Sequence, residues 1–350
     1  MSKRNGIEYM MVLCIIISIG CISQEDASKL HADALVATDS YLYAAAGRVM
    51  CLDWEGNTLW ETPKLGSNGM IFLGDAIFAT TYDKPRRTGG VVFLNCEGEI
   101  LWQKEIGYIR ESGISGSSEL LAAGSREGVL WAFSRNGDVL WKYDNFAQIG
   151  QVVVAPDSSC VVFVDFNHYV NCVRDGELIW SEQVESIYGG DERNVAFSFD
   201  SSYLVHKAGK DEPKIVVSTL NGEEIWSYPV EDVLQSVVIT NDNQYIIAGC
   251  FEYVYKFTSN GDLVWKKNIG KDNKYIAVTL SANYIAVGSN YAPSKLFVLD
   301  KEGEVLWMER SLDSIFAVAI SPNGEHVAFS NRLDLLYILS NPPESDLNSA

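Results

Sequence analysis

The side chains able to do chemistry are numerous but dispersed. Four histidines, His31, His168, His206 and His326, lie far apart, without the short spacings of a zinc or copper site. Cys51, Cys96, Cys160, Cys172 and Cys250 stand singly, with no Cys-x-x-Cys pair. An odd set without framework spacing does not build a disulfide fold, so buried thiols are expected. Carboxylates dominate, with 46 Asp plus Glu against 27 Lys plus Arg and a net charge of −19. Such a surface repels phosphate backbones, which sets nucleic acid aside as a partner; it serves solubility at a cell surface, with cation binding as the alternative. No nucleophile elbow, phosphate loop or paired metal motif is present. Carboxylates gathered from distant parts of the chain are the one route to hydrolase or lyase chemistry left open. No Asn-x-Ser/Thr sequon occurs, so conventional N-glycosylation is not expected.

One residue has a sharper setting. Lys3 and Arg4 open the chain, and Met10 to Ile19 is apolar apart from Ser18. This run is too short to span a bilayer comfortably and fits a signal peptide over residues 1–20. Ser18-Ile19-Gly20-Cys21 resembles the prokaryotic lipobox, with Ser18 where an aliphatic residue is usual. Cys21 is then the lipid attachment point, holding the protein at a membrane without spanning it. An ordinary signal peptide and an uncleaved anchor are the alternatives, and all three mean export. Residues 21–33 are expected to be a tether and closing strand, and 342–350 a flexible tail.

The elements that would position any site follow from a recurring ending, Gly-x-x-x-Trp. It occurs seven times, at Trp60, Trp102, Trp141, Trp180, Trp226, Trp265 and Trp307. Successive tryptophans are 42, 39, 39, 46, 39 and 42 residues apart, and seven of the nine tryptophans keep this beat, so chance is excluded. A self-similar period near forty residues means a stacked or radial repeat. Asn136, Asp175, Asn221 and Asn260 precede the glycine in four copies, the chemistry of a tight hairpin turn. Two large apolar residues usually stand between the turn and the tryptophan, as in Glu99-Ile100-Leu101-Trp102. Adjacent strand positions face opposite sides, so this pattern predicts burial on both faces.

Before each turn lies a short apolar strand, and before that a hairpin such as Val152 to Phe163. Each unit therefore reads as strands A, B, C and D, with D carrying the tryptophan. Units begin near Ala34, Gly69, Ser112, Gln148, Asn194, Leu234, Tyr275 and Ile315. The fold class is all-β, an eight-bladed β-propeller of four-stranded antiparallel blades over 34–341, with seven blades as the alternative. Eight A–B–C sets meet only seven D strands, so a strand from about Ala27 to Asp33 is expected to supply the eighth and close the ring.

Leu52-Asp53-Trp54-Glu55-Gly56-Asn57-Thr58-Leu59-Trp60 and Leu299-Asp300-Lys301-Glu302-Gly303-Glu304-Val305-Leu306-Trp307 resemble the tryptophan-docking repeat of pyrroloquinoline-quinone-type propellers. One residue is missing between Asp and Gly, and the family's Thr is absent. The resemblance implies that all seven tryptophans dock one blade on the next. The same repeat occurs in quinoprotein dehydrogenases and in non-catalytic propellers, including lipoproteins of the outer-membrane assembly machinery. The dehydrogenases carry long loops for quinone and Ca²⁺, and many a disulfide between adjacent cysteines. This chain has few long insertions and no Cys-Cys pair. No cofactor is therefore expected, quinone and Ca²⁺ being unindicated.

Length and charge variation collects on the B–C and D–A loops, which share one face of a propeller. The candidate binding face has basic points Lys84, Arg86, Arg87, Lys210 and Lys214 among acidic Glu111, Asp144, Asp191, Glu192, Asp232, Asp272 and Asp313, with Tyr188. The expected function is an exported, membrane-tethered, monomeric scaffold binding protein or glycan at the cell surface or in a periplasm-like space. The alternative is an enzyme, quinone-dependent oxidoreductase or hydrolase/lyase, with its site in the central funnel.

Overall fold

The computed structural model describes residues 32–340 except 68, 84, 87, 118, 185–193, 209–211, 292 and 334. Its elements are strands alone, numbered β1 to β31 in chain order. The first blade is β1 (Ala34–Ala37), β2 (Leu42–Ala45), β3 (Val49–Leu52) and β4 (Thr58–Glu61), paired antiparallel in that order. Six further sheets repeat the pattern in sequence. The eighth holds β29 (Ile315–Ile320), β30 (His326–Asn331) and β31 (Leu336–Ser340). Most of the expected closing strand, residues 27–31, lies outside the described residues.

The innermost strands, among them β5 (Met70–Phe72) and β25 (Asn273–Val278), touch their neighbours from blade to blade. β29 touches both β25 and β1, so the circle of eight blades closes. The B and C strands between rim and centre are apolar and buried on both faces, as in β2 and β3. The core lies in the seams. Val205 and Val217 of the fifth blade pack with Leu234, Val237, Ile246 and Phe257 of the sixth, with Trp226 against them. Burying both faces of a sheet is what a radial stack offers and an isolated sheet does not.

The tryptophans occupy these seams by a repeated geometry. Trp60 Nε1–H donates to the Cys96 carbonyl at 2.8 Å, and Trp102 Nε1–H to that of Arg135 at 2.7 Å. Trp180, Trp226 and Trp265 donate to Leu220, Ser259 and Lys301 at 3.1, 2.9 and 3.0 Å. Each acceptor lies in the C–D turn of the following blade. The glycine of that turn has positive φ and leaves room for the indole: a Cβ on Gly98 would stand 2.5 Å from Trp60.

The expectation of two-face burial before the tryptophan is corrected. Leu101 is 55% exposed and Leu140 52%, and their counterparts Leu59, Ile225 and Val264 are exposed too. A β-bulge is the reason. In every C–D pair the register shifts just before the tryptophan: Phe93 faces Trp102 and Leu94 faces Ile100, so Leu101 has no partner. The extra residue breaks the alternation. Consecutive apolar side chains then stay at the rim, where no neighbouring blade reaches, while the indole turns into the seam.

The seam between the eighth and first blades is built differently. Trp54 stacks on His326, with ring centroids 4.6 Å apart at 12°. Its Nε1–H donates to the Asp39 carbonyl at 3.2 Å, and Asp39 Oδ1 accepts from the Asn323 N–H at 2.9 Å. Ser330 Oγ–H donates to the Ala32 carbonyl at 2.5 Å. The chain's start is thus fastened to its last blade.

Candidate functional site

The sequence-predicted binding residues fall into four groups. Lys84, Arg87, Tyr188, Asp191, Glu192 and Lys210, and the side chain of Glu111, lie outside the described residues. Arg86 and Asp144 are exposed on other sectors of the ring, Arg86 held beside Asp83 with Nε to Oδ2 at 3.6 Å. Lys214 is paired with Glu224 at 3.0 Å. Asp232, Asp272 and Asp313 are brought onto one arc of loops across blades six to eight.

On that arc the carboxylates hold backbone. Asp232 Oδ1 accepts from the Phe251 N–H and Oδ2 from the Glu252 N–H, both at 2.8 Å. It is half-buried, and burial raises its pKa against the opposing pull of those two N–H groups. Asp272 Oδ1 accepts from Gln235 Nε2 at 2.5 Å, with φ of +61°. Its N–H donates to the Phe251 carbonyl at 2.6 Å, and its carbonyl accepts from Asn290 N–H at 2.9 Å. Asp313 Oδ1 accepts from the Ser314 N–H at 2.6 Å. The Asp232 and Asp272 carboxylates are largely spent on shaping the loops.

The shaped loops present apolar groups. Tyr291 is 58% exposed, Leu312 74% and Leu333 50%. Half-buried Phe251 meets Tyr291 edge to face, with centroids 6.4 Å apart. Backbone bonds join the loops: Tyr291 N–H to the Lys271 carbonyl, Ser311 N–H to Ser294, and Arg332 N–H to Ser314. Lys271 Nζ lies 3.0 Å from Glu252 and 5.8 Å from the Tyr291 ring. On the same face, Phe146 is fully exposed in the loop between the third and fourth blades. Sequence reasoning missed these apolar residues because it weighed loop charge. The signal was present as lone large apolar residues inside polar connections, Leu312 between Ser311 and Asp313 and Leu333 after Arg332. The arrangement offers an apolar ridge with charged margins, suited to binding. Among the described residues, no group of three or more His, Cys, Asp or Glu is placed to hold a metal ion.

Comparison with known proteins places this geometry. The family model described as outer membrane protein assembly factor BamB matches residues 87–249, in line with the expected resemblance to PQQ-like propellers. The crystal structure of BamB from Moraxella catarrhalis is similar with a TM-score of 0.65 at 15% identity, covering 89% of this chain and 98% of that one. The computationally designed Ika8 protein is similar with a TM-score of 0.69 at 14% identity, covering 89% and 97%. The Cps50 (Swd1) β-propeller domain of Myceliophteria thermophila has a TM-score of 0.62 at 13% identity, covering 80% and 98%. No curated protein matches in sequence. At these identities the solved structures establish the fold.

Proposed function

We propose that this PQQ-like propeller is an exported, membrane-tethered scaffold that binds protein partners and has no catalytic role of its own. The observation that carries this is the exposed ridge of Tyr291, Leu312 and Leu333, continued by Phe251, on loops fixed by Asp232 and Asp272. Large apolar groups gathered on one face cost solvation and are retained where a partner covers them. Protein is favoured over glycan as the partner because the ridge is aliphatic as well as aromatic. Cys21 in its lipobox-like setting is the attachment to the membrane, and the family match to an outer membrane assembly factor supports a location there.

The test is chemical cross-linking and affinity capture from source membranes, with partners identified by mass spectrometry. Wild type is compared with Leu312→Asp/Leu333→Asp and with Leu280→Asp on the opposite face. The proposal expects a protein captured by wild type and by Leu280→Asp and lost from the double variant. Equal capture by all three would move the binding surface elsewhere. Dye reduction with alcohols and sugars in the presence of quinone and Ca²⁺ separates the scaffold from an oxidoreductase, the scaffold giving none.

A further inference from the structure

We propose that Cys160 and Cys172 form a reversible intrablade disulfide when the protein meets a disulfide-bearing oxidant. Both lie in the fourth blade, built from β13 (Ile149–Val154), β14 (Val161–Asp165), β15 (Tyr169–Arg174) and β16 (Glu177–Gln183). Cys160 ends the A–B turn, its carbonyl accepting from the Ala155 N–H at 3.0 Å. Cys172 is in β15, where it pairs with Val162 in the ladder. Cys160 precedes Val162 by two residues, so both thiols point to the same face as diagonal neighbours. They are buried, at 1% and 0% exposure, in one apolar cluster with Val184 and Phe197.

The Cys172 thiol donates to the Leu220 carbonyl at 3.7 Å. The neighbouring thiol holds Cys160 below the ordinary thiol range, with Arg174 assisting, and pushes Cys172 above it together with burial. Arg174 Nε–H also donates to the Ser159 carbonyl at 3.2 Å, which keeps the guanidinium against the turn that carries Cys160. Among the described residues, the other cysteines lie by different groups: Cys51 and Cys96 by the Tyr43 side chain, and Cys250 by Asp232.

The exchange runs in two steps. Cys160, as thiolate, attacks one sulfur of the oxidant and forms a mixed disulfide, releasing the oxidant's first thiol. Cys172 then attacks the Cys160 sulfur, closes the internal bond and expels the second thiol. Two protons and two electrons leave the pair and appear on the oxidant as two thiols. Diagonal neighbours stand about 7–8 Å apart, beyond ordinary disulfide reach, so closure requires the backbone to draw Cys160 inward. Cys160 precedes β14, so the shift falls on the turn and on its bond from the Ala155 N–H. Both sulfurs are covered, so exchange proceeds during folding or when the turn opens.

The experiment uses the full chain. It is refolded from urea with oxidised glutathione, alkylated under denaturing conditions and digested with trypsin. No Lys or Arg lies between Lys142 and Arg174 except Arg174 itself, so both cysteines fall in the single peptide 143–174. The expected product is that peptide two hydrogens lighter and unalkylated, restored to two alkyl groups by prior reduction, while Cys51, Cys96 and Cys250 are alkylated throughout. The oxidised protein should also melt at a higher temperature than the reduced one. In Cys172→Ser the glutathione adduct should remain on Cys160; if that variant does not fold, the wild-type peptide decides alone. A doubly alkylated peptide after oxidation, or either cysteine linked to a third, overturns the proposal.

Discussion

Trp60 of the first blade and Gly98 of the second form one joint: the indole lies where a Gly98 Cβ would come within 2.5 Å, and its N–H donates to Cys96 in the same turn. The joint recurs around the ring, with Gly137 against Trp102, Gly222 against Trp180 and Gly261 against Trp226. Gly98→Ala meets both the steric contact and a φ of +83°. It should lower stability by about 2–3 kcal/mol. Trp60→Ala should cost about 3–5 kcal/mol, and Trp60→Phe less, since packing is kept and one hydrogen bond is lost. Urea midpoints at constant slope measure all three. A neutral Gly98→Ala would remove the docking role from the turn.

His206 gives the fold an acid dependence. It is 1% exposed, its Nδ1–H donates to the Lys207 carbonyl at 2.9 Å, and its Nε2 accepts from Ser218 Oγ–H at 3.2 Å. Burial pushes its pKa down, against the smaller raising effects of the Lys207 carbonyl and Glu182. The folded state therefore holds the neutral ring where the unfolded chain would take up a proton. Stability from this site is complete above the unfolded pKa near 6.5 and is lost as pH falls below it. His206→Gln should show a smaller drop in urea midpoint than wild type between about pH 7 and about pH 5. Parallel curves for the two proteins would contradict this.

Lys256 is buried in the seam between the sixth and seventh blades. Its Nζ–H donates to the Lys301 carbonyl at 3.0 Å, which also accepts from Trp265, and it lies 4.1 Å from the Tyr245 ring centroid. Burial lowers its pKa. A base depressed in the fold is protonated more readily in the unfolded chain, so its contribution to stability improves as pH rises toward the unfolded value near 10.5. Lys256→Met keeps the volume and leaves Trp265 on Lys301. It should be more stable than wild type by about 1 kcal/mol near neutrality, the gap narrowing in alkali. Thermal melts of the pair at several pH values check both points, and a less stable methionine variant would refute the first.

The closing seam should respond on its own. Trp54→Ala with Asp39→Ala removes the stack on His326 and the bond from Asn323. Hydrogen exchange followed by mass spectrometry should then speed up in β30 before the central blades. Deleting residues 23–33 should broaden the melt further, since that segment includes the Ala32 carbonyl fastened to Ser330. Uniform exchange across all blades would show that the seam is no weaker than the others.

The loop face and the rim show how far local pattern carries. Turn glycines, alternating apolar strands and the tryptophan beat are properties of neighbouring residues, so the chain alone determined the four-stranded blades and their radial repeat, while closure of the ring decided for eight over seven. The same pattern misplaced Leu101 and Leu140, because a bulge cancels the alternation from which burial was inferred. It also ranked Asp232 and Asp272 as surface charge. The tertiary structure decided that they hold loops, by bringing Asp232 to Phe251 and Gln235 to Asp272. Those partners stand 19 and 37 residues apart in the chain. The apolar ridge and the Trp54–His326 stack were settled in the same way. No periodicity along a strand records which loop lies beside which once the ring has closed.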